Sequence, residues 1–337
     1  MVNEALKPSI AIIGAGLAGL SCATQLQEKG FKVQVFEKSH GPSGRMSTRN
    51  GDNWSADHGA QYFTARDPLF LKELDTWIKN SVAATWHPIL KIFENGQWRE
   101  SASTENRYVG IPAMNYPGKN LAKTLAVAYG QTINQITYKA LKWTLHSLEG
   151  GNIDEQFDWL VLAIPAPQAF TLTNMIDQSI EEKNVVDILG CWTVIASFNE
   201  KQRIPFDAAF INGEIISWIS RNNSKPGRKG QETWTIHANP QWSQQWIELD
   251  KEEASKHILE CAKGLGLDFQ DAHISVHRWR YASGSIKANL GFTAYEDIRL
   301  GLCGDWLHGG RVEGAWLSGN KLANEISTQQ PHLMNKE

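Results

Sequence analysis

Cysteine is scarce in this chain. Only Cys22, Cys191, Cys261 and Cys303 occur, and no two stand at C-x-x-C spacing. That pattern excludes a disulfide framework and a cysteine zinc site, so each thiol reads as a small apolar core residue. No run of about eighteen apolar residues is present, so no membrane span is expected. The N-terminus has no basic segment followed by an apolar stretch and a cleavage site, so no secretory signal is expected, and a reducing cytoplasm is the expected compartment. Blocks of basic residues are missing and the formal net charge is −3, which gives no hint of a nucleic-acid partner. There is no internal repeat and no low-complexity segment. His58, His237, His277 and His308 stand isolated from one another and read as packing or surface residues. Nothing in the sequence assembles an acid–base pair, a nucleophile triad or a metal cluster.

What the chain does have is enough length and apolar content for a real core. Its 337 residues suggest about two domains, and 42% are hydrophobic. Fourteen tryptophans serve mostly core and interdomain packing, with one or two free to meet a flat ring.

The stretch from Ser9 to Leu20 organises the rest. A short apolar strand runs into Gly14, Gly16 and Gly19 at G-x-G-x-x-G spacing and then into a helix. Gly14 permits the sharp turn, Gly16 lets a pyrophosphate approach the backbone, and Gly19 lets the helix pack on the sheet. The helix start offers free N–H groups and a positive dipole end to phosphates. A second apolar strand, Lys32 to Phe36, is followed by Glu37, placed to hold a ribose hydroxyl. Arg45 closes a glycine- and serine-rich loop, and its guanidinium can pair with the same pyrophosphate.

Along the chain, the helix from Leu17 ends near Lys29, stopped by Gly30. Asp57 to Thr64 interleaves polar, glycine and aromatic residues, which fits a ligand-touching segment and an ordinary loop equally well. Pro68 to Lys79 has helical spacing, and Asn95-Gly96 between apolar runs marks a hairpin. A helix is expected from Asn120 to Tyr129, strands over Ile133 to Leu145 and Trp159 to Ile164, and a turn at Gly150-Gly151. Short strands follow at Trp192 to Phe198, Ala208 to Asn212, Ile215 to Ser220 and Thr233 to Ala238. Trp242 to Leu265 reads as helical, with Asp250 placed like a cap. The last block repeats the style of the first: a strand from Arg299 to Cys303, then Gly304-Asp305, a glycine-rich loop, and a helix to about Ile326. The fold expected is α/β, a discontinuous Rossmann-type dinucleotide-binding domain with an inserted α+β substrate domain. The expected boundaries are 1–64, 115–166 and 274–328 for the former, 65–114 and 167–273 for the latter, and a loose tail at 329–337.

Taken together, Gly14, Gly16, Gly19 and Glu37, then Gly44-Arg45, Val161 to Pro165, Gly304-Asp305 and Glu313-Gly314-Ala315 resemble the flavin-containing amine oxidase superfamily. The runs Asp57 to Arg66, Ser217 to Arg228, Trp279 to Ala282 and Cys303 to Gly319 look like its bacterial renalase-like branch. The resemblance implies FAD, held without a covalent bond because no cysteine stands where covalent members attach it. It places Gly14, Gly16 and Gly19 at the pyrophosphate, Glu37 at the adenosine ribose and the backbone of Ile136 at the adenine. Arg45 falls near the flavin or phosphates, Asp305 on the ribityl or pyrophosphate side, and the N–H groups of Gly314 and Ala315 at the N1–C2=O end of the flavin, where negative charge collects on reduction. Ala15, Leu17, Ala18, Lys38, Gly44, Met46, Gln61, Ala163, Gly304 and Glu313 join the cofactor-binding set by the same likeness.

The resemblance also implies the chemistry, oxidation of the 2- and 6-dihydro isomers of NAD(P)H with O2 as final acceptor. Hydride transfer from a dihydropyridine needs no enzyme base; the protein holds the reacting atoms about 3–3.5 Å apart and excludes water. Substrate contacts are expected from Gln61, Tyr62, Arg221, His237, Trp279 and Arg311. Arg311 stands where amine oxidases carry an aromatic cage residue, and a cation there repels a protonated amine. Amine oxidation and a non-catalytic flavin-binding module remain the alternatives. The expected partners are the dinucleotide substrate and O2, with no nucleic acid and no membrane; the oligomeric state stays open.

Overall fold

The computed structural model describes residues 8–184, 186–285 and 289–329. The N-terminal residues 1–7, and the expected tail beyond Gln329, lie outside the described residues.

Ile10, Ala11 and Ile12 are wholly buried, as a parallel strand covered on both faces requires. They belong to Ser9–Ile13, the centre of a six-stranded sheet ordered Thr293–Tyr295, Leu300–Leu302, Trp159–Leu162, Ser9–Ile13, Lys32–Glu37, Ala126–Tyr129. All neighbours are parallel except the first pair. The helix Leu17–Glu28 leaves the glycine turn and packs along the final helix, Val312–Thr328. Small residues let the two approach closely: a side chain at Gly319 would collide with the Ala18 carbonyl, and Ser21 Oγ donates to the Trp316 carbonyl at 2.9 Å.

A second, seven-stranded sheet is ordered His273–Ser285, Asp187–Phe198, Glu232–Ala238, Ile216–Arg221, Ala208–Ile211, Leu90–Glu94, Gln97–Glu100. Its strands alternate. Trp192, Val194, Ala196, Trp234 and Ile236 form one apolar core with Ala254, Ile258 and Ala262 of the helix Lys251–Gly264. Thr193, Thr235 and His237, at the intervening positions, point to the opposite face. Among the described residues no helix is long and apolar enough to cross a membrane.

The helix Pro68–Lys79 and the Asn95-Gly96 hairpin form as their spacing predicts. Four expectations need correction. The helix expected from Asn120 is instead a helix Tyr116–Ala122 followed by the edge strand Ala126–Tyr129. The alanines there favour helix, but pairing with Lys32–Glu37 overrides that weak preference. The single strand expected over Ile133 to Leu145 is a hairpin, Ile133–Lys139 and Lys142–Ser147. It turns at Ala140 and Leu141, with φ +52° and +59°, so no glycine announces it. The long helix expected from Trp242 is two helices, Pro240–Gln245 and Lys251–Gly264. The second begins where the Asp250 carboxylate accepts the Glu253 N–H at 2.8 Å. Finally, the chain from residue 274 through Ser285 is a strand of the second sheet, not part of the first unit.

Candidate active site

A cavity of 1510 Å³ is walled by both units. Pockets for a drug-sized ligand run to about 1,000 Å³, so this one has room for a dinucleotide and a second ring.

At one end lies the glycine turn. Gly14 has φ +106°, and a side chain there would meet the Ala163 carbonyl at 2.6 Å. A side chain at Gly19 would strike the Gly14 carbonyl, which fixes how closely the helix sits on the turn. A Cβ at Gly16 would meet nothing within 4 Å, and Gly16 lines the cavity. The backbone is thus bare where a ligand would touch it. Glu37 is buried beside the turn; its Oε2 accepts the Ala15 N–H and its Oε1 the Ser39 N–H, each at 2.8 Å. Arg45 reaches across the cavity, donating to the Ala282 carbonyl at 3.0 Å and to both carboxylate oxygens of Asp305. The donor set fits a dinucleotide cofactor: open backbone at a helix start, a fixed acid, and an arginine.

Of the residues expected at the cofactor, Gly14, Gly16, Leu17, Ala18, Glu37, Lys38, Gly44, Arg45, Met46, Ala163, Gly304, Asp305 and Ala315 line this cavity. Tyr62, His237, Trp279 and Arg311, expected at the substrate, line it too. The others do not. Ala15 and Gly19 stand behind the turn. Ile136 is buried in the apolar core of the first unit, and Ile133 and Asn134 reach the wall in its place. Glu313 turns outward, where its carboxylate accepts the N–H groups of Arg66 at 2.6 Å and Asp67 at 2.7 Å. Gly314 packs directly on the His308 carbonyl. Arg221 points away from the cavity, between Glu232 and Asp207 and over the Trp234 ring at 4.9 Å, because its charge finds two acids there.

Gln61 is also off the wall. Its amide donates to the Asp57 and Gly59 carbonyls, and its oxygen accepts from Ser220 Oγ at 2.7 Å and Lys225 Nζ at 3.1 Å. It belongs to a fully buried charge network. Lys225 Nζ lies 3.2 Å and Arg228 Nη2 2.6 Å from Asp57 Oδ2. Burial alone would raise the Asp57 carboxyl, but the charges of Lys225 and Arg228 outweigh it and bring it down to about 2. Burial lowers Lys225 to about 8 against the pull of Asp57, so it remains charged at neutral pH. This network ties Asp57 to the loop after Arg221.

The isolated histidines are not isolated. Thr193 pairs with His237 on one neighbouring strand and His277 on the other, so all three side chains share one face. Cys191, two residues back on that face, pairs with Trp279. The ring of His58 stacks on Trp279 at 5.1 Å and meets His277 edge-on at 4.8 Å. The His58 carbonyl accepts from Trp279 Nε1 and lies against His237 Nε2, both at 3.1 Å. Burial, with the positive charge of Arg49, lowers His58 to about 3 and His277 to about 4; burial lowers His237 to about 4. The register that gathers these rings joins strands far apart in sequence. The alternation Thr233-x-Thr235-x-His237 was the available signal, since it sets a polar face opposite Trp234 and Ile236. Among the described residues no group of three or more histidine, cysteine or acidic side chains could hold a metal ion.

Two family models match the chain. One, an NAD(P)-binding Rossmann-like domain, covers residues 12–74; the other, the flavin containing amine oxidoreductase family, covers 88–327. A lysine-specific histone demethylase 1 homologue of Arabidopsis thaliana is 30% identical over 175 residues, 43% of this chain and 20% of that protein. A zeta-carotene-forming phytoene desaturase of Myxococcus xanthus is 46% identical over 50 residues, 15% of this chain and 10% of that protein. The chain therefore spans a fifth or less of these curated relatives. Among solved structures, cyclohexylamine oxidase from Brevibacterium oxydans superposes with a TM-score of 0.75 at 13% identity, covering 96% of this chain and 100% of that one. An engineered putrescine oxidase gives 0.73 at 13% identity, with 96% and 99% covered. At such identities the likeness is one of fold.

Proposed function

The chain belongs to the flavin containing amine oxidoreductase family, and from that premise we propose that it oxidises the 2- and 6-dihydro isomers of NAD(P)H to NAD(P)+, with FAD bound non-covalently. The flavin, when bound, supplies a hydride acceptor at N5 and hands two electrons to O2, so that dihydro-NAD(P), O2 and a proton give NAD(P)+ and H2O2.

The observation that carries this reading is the uncharged histidine face of the cavity. His58, His237 and His277 are lowered to about 3, 4 and 4, so each is a neutral imidazole at neutral pH and a weak base. A wall of that kind suits a reaction in which the donor gives up a hydride and no proton. The glycine turn and Glu37 hold the adenosine–pyrophosphate end of the cofactor. Arg45 and Asp305 fix the loops on either side of it. Arg311 stands exposed on the cavity rim, where it attracts the substrate's phosphates and repels an amine cation. The partners proposed are therefore a dinucleotide and O2, and the compartment proposed is the cytoplasm.

Anaerobic mixing with 6-dihydro-NAD tests this. The flavin absorbance should bleach within seconds; an oxidised spectrum that persists refutes the proposal. Amine oxidation is the second reading, favoured by the family match over 88–327. It requires peroxide release with benzylamine or spermine.

A further inference from the structure

Beside the neutral histidines stand two cations that the chain itself does not match. Most cations on the cavity wall are matched: Arg45 with Asp305, Arg66 with Glu105, and Arg278 and Arg280 with Glu248. Lys251 also lines the cavity, where the helix Lys251–Gly264 begins, and among the described residues it forms no ion pair. The acids next to it, Asp250, Glu252 and Glu253, do not line the cavity, and the Asp250 carboxylate is engaged by the Glu253 N–H at 2.8 Å.

Arg49 comes from a different element, the ribbon that pairs Thr48–Asn50 with Ser55–Asp57. Thr48 Oγ1 donates to Asp57 Oδ1 at 2.7 Å, so that side of the ribbon faces the buried charge network. Ser47 takes the other side; it lines the cavity, with its Oγ 3.3 Å from His58 Nε2. The period-two alternation sets Arg49 on the side of Ser47. Arg49 is exposed and, among the described residues, likewise unpaired. Its charge bears on His58 and His277 and that of Lys251 on His277, and the two imidazoles lie 4.8 Å apart. Two cations from separate elements thus converge on the edge of one neutral face. They repel each other, and an anion from outside the chain offsets both. We infer that Arg49 and Lys251 form a phosphate subsite for the substrate, on elements other than the one that carries Arg311. This rests on the dihydronicotinamide reading, which supplies a dinucleotide, and names the side chains of the second unit and its neighbouring ribbon that hold a phosphate of it.

The test uses the flavin-loaded protein, whose cofactor site is filled, and two probes without nicotinamide, ADP-ribose and its 2′-phosphate. Calorimetry gives the Kd of each at low and at high salt. The double variant Arg49→Gln/Lys251→Gln should bind at least one probe about fivefold more weakly at low salt, and the loss should shrink below about twofold at high salt, because exposed charges are screened. Equal losses for both probes assign the subsite to the pyrophosphate; a loss confined to the phosphorylated probe assigns it to the 2′-phosphate. Lys256→Gln/Lys263→Gln removes the same charge from exposed positions of the same helix and should change neither Kd by more than about twofold. Losses below twofold, losses that persist at high salt, losses equalled by the control pair, or an unaltered protein that binds neither probe each overturn the subsite. Bleaching by 6-dihydro-NAD reads the oxidation separately. A protein that shows the binding losses and never bleaches overturns the oxidation and leaves the phosphate subsite standing.

Discussion

Asp57 and His58 are neighbours in the chain and face opposite environments. Asp57 turns into the protein, wholly buried and paired with two cations. His58 lines the cavity, uncharged, its Nδ1 buried without a hydrogen-bond partner among the described residues. The first is a charge that is kept because its partners are present; the second is a charge that is refused because they are not. One extended segment thus anchors itself on one side and turns a neutral ring to the cavity on the other, as the period-two alternation of an extended chain allows.

The sharpest way to break the comparison is to remove the anchor. Asp57→Ala leaves Lys225 and Arg228 buried without a counter-charge and should cost about 3–5 kcal/mol, lowering Tm by roughly 10 °C. Thermal denaturation measures it. Lys225→Met should cost much less, about 1 kcal/mol or nothing, because the Asp57–Arg228 pair survives and the replacement fills the space. If the two variants were equally unstable, the network would be a matter of packing and not of charge.

Acid should separate the two neighbours in a single titration. The folded values of the histidines lie below their ordinary 6.5, so the unfolded chain binds protons first; their contribution is full above about pH 6.5 and fades as the pH falls toward 4. Asp57 is also depressed, from 3.8 to about 2, so its contribution is intact above about pH 4 and disappears as the pH falls through 2. Denaturant melts at stepped pH should give two windows of acid loss. His237→Gln should shrink the upper window, to which His58 and His277 still contribute, and leave the lower. A single window near pH 4 would remove the contrast.

The smallest effect is expected at the rim. Arg311→Gln should change stability by less than about 0.5 kcal/mol, as for most exposed positions. It should raise the apparent KM for the dinucleotide several-fold at low salt and less at high salt. Equal KM values at both ionic strengths would argue against Arg311 as a phosphate contact.

The sequence was most legible where the backbone itself sets the requirement. Gly14, Gly16 and Gly19 could be assigned separate jobs because a side chain would collide at Gly14 and Gly19 and would cover the bare backbone at Gly16, and the strand, turn and helix around them follow from local pattern. It was least legible where partners meet across the chain. Asp57 finds Arg228 171 residues away, and no local spacing announces that. His277 and His237 meet on either side of Thr193 only through the register of three strands. Arg221 and Gln61 were misplaced for the same reason: each is a polar residue in a promising motif, and its acids or hydroxyls are supplied from elsewhere. Ile136 lies in the core because the register of its strand brings Ile133 and Asn134 to the cavity wall instead.

The close seam between the helices Leu17–Glu28 and Val312–Thr328, where Gly319 rests against Ala18, sets an order on biosynthesis. The glycine turn leaves the ribosome early, but the surface that backs its helix is made some 290 residues later. The second sheet, whose last strand ends at Ser285, can assemble in the meantime. Nucleotide capture then belongs among the last events of maturation, and a nascent chain stalled before residue 312 should emerge colourless.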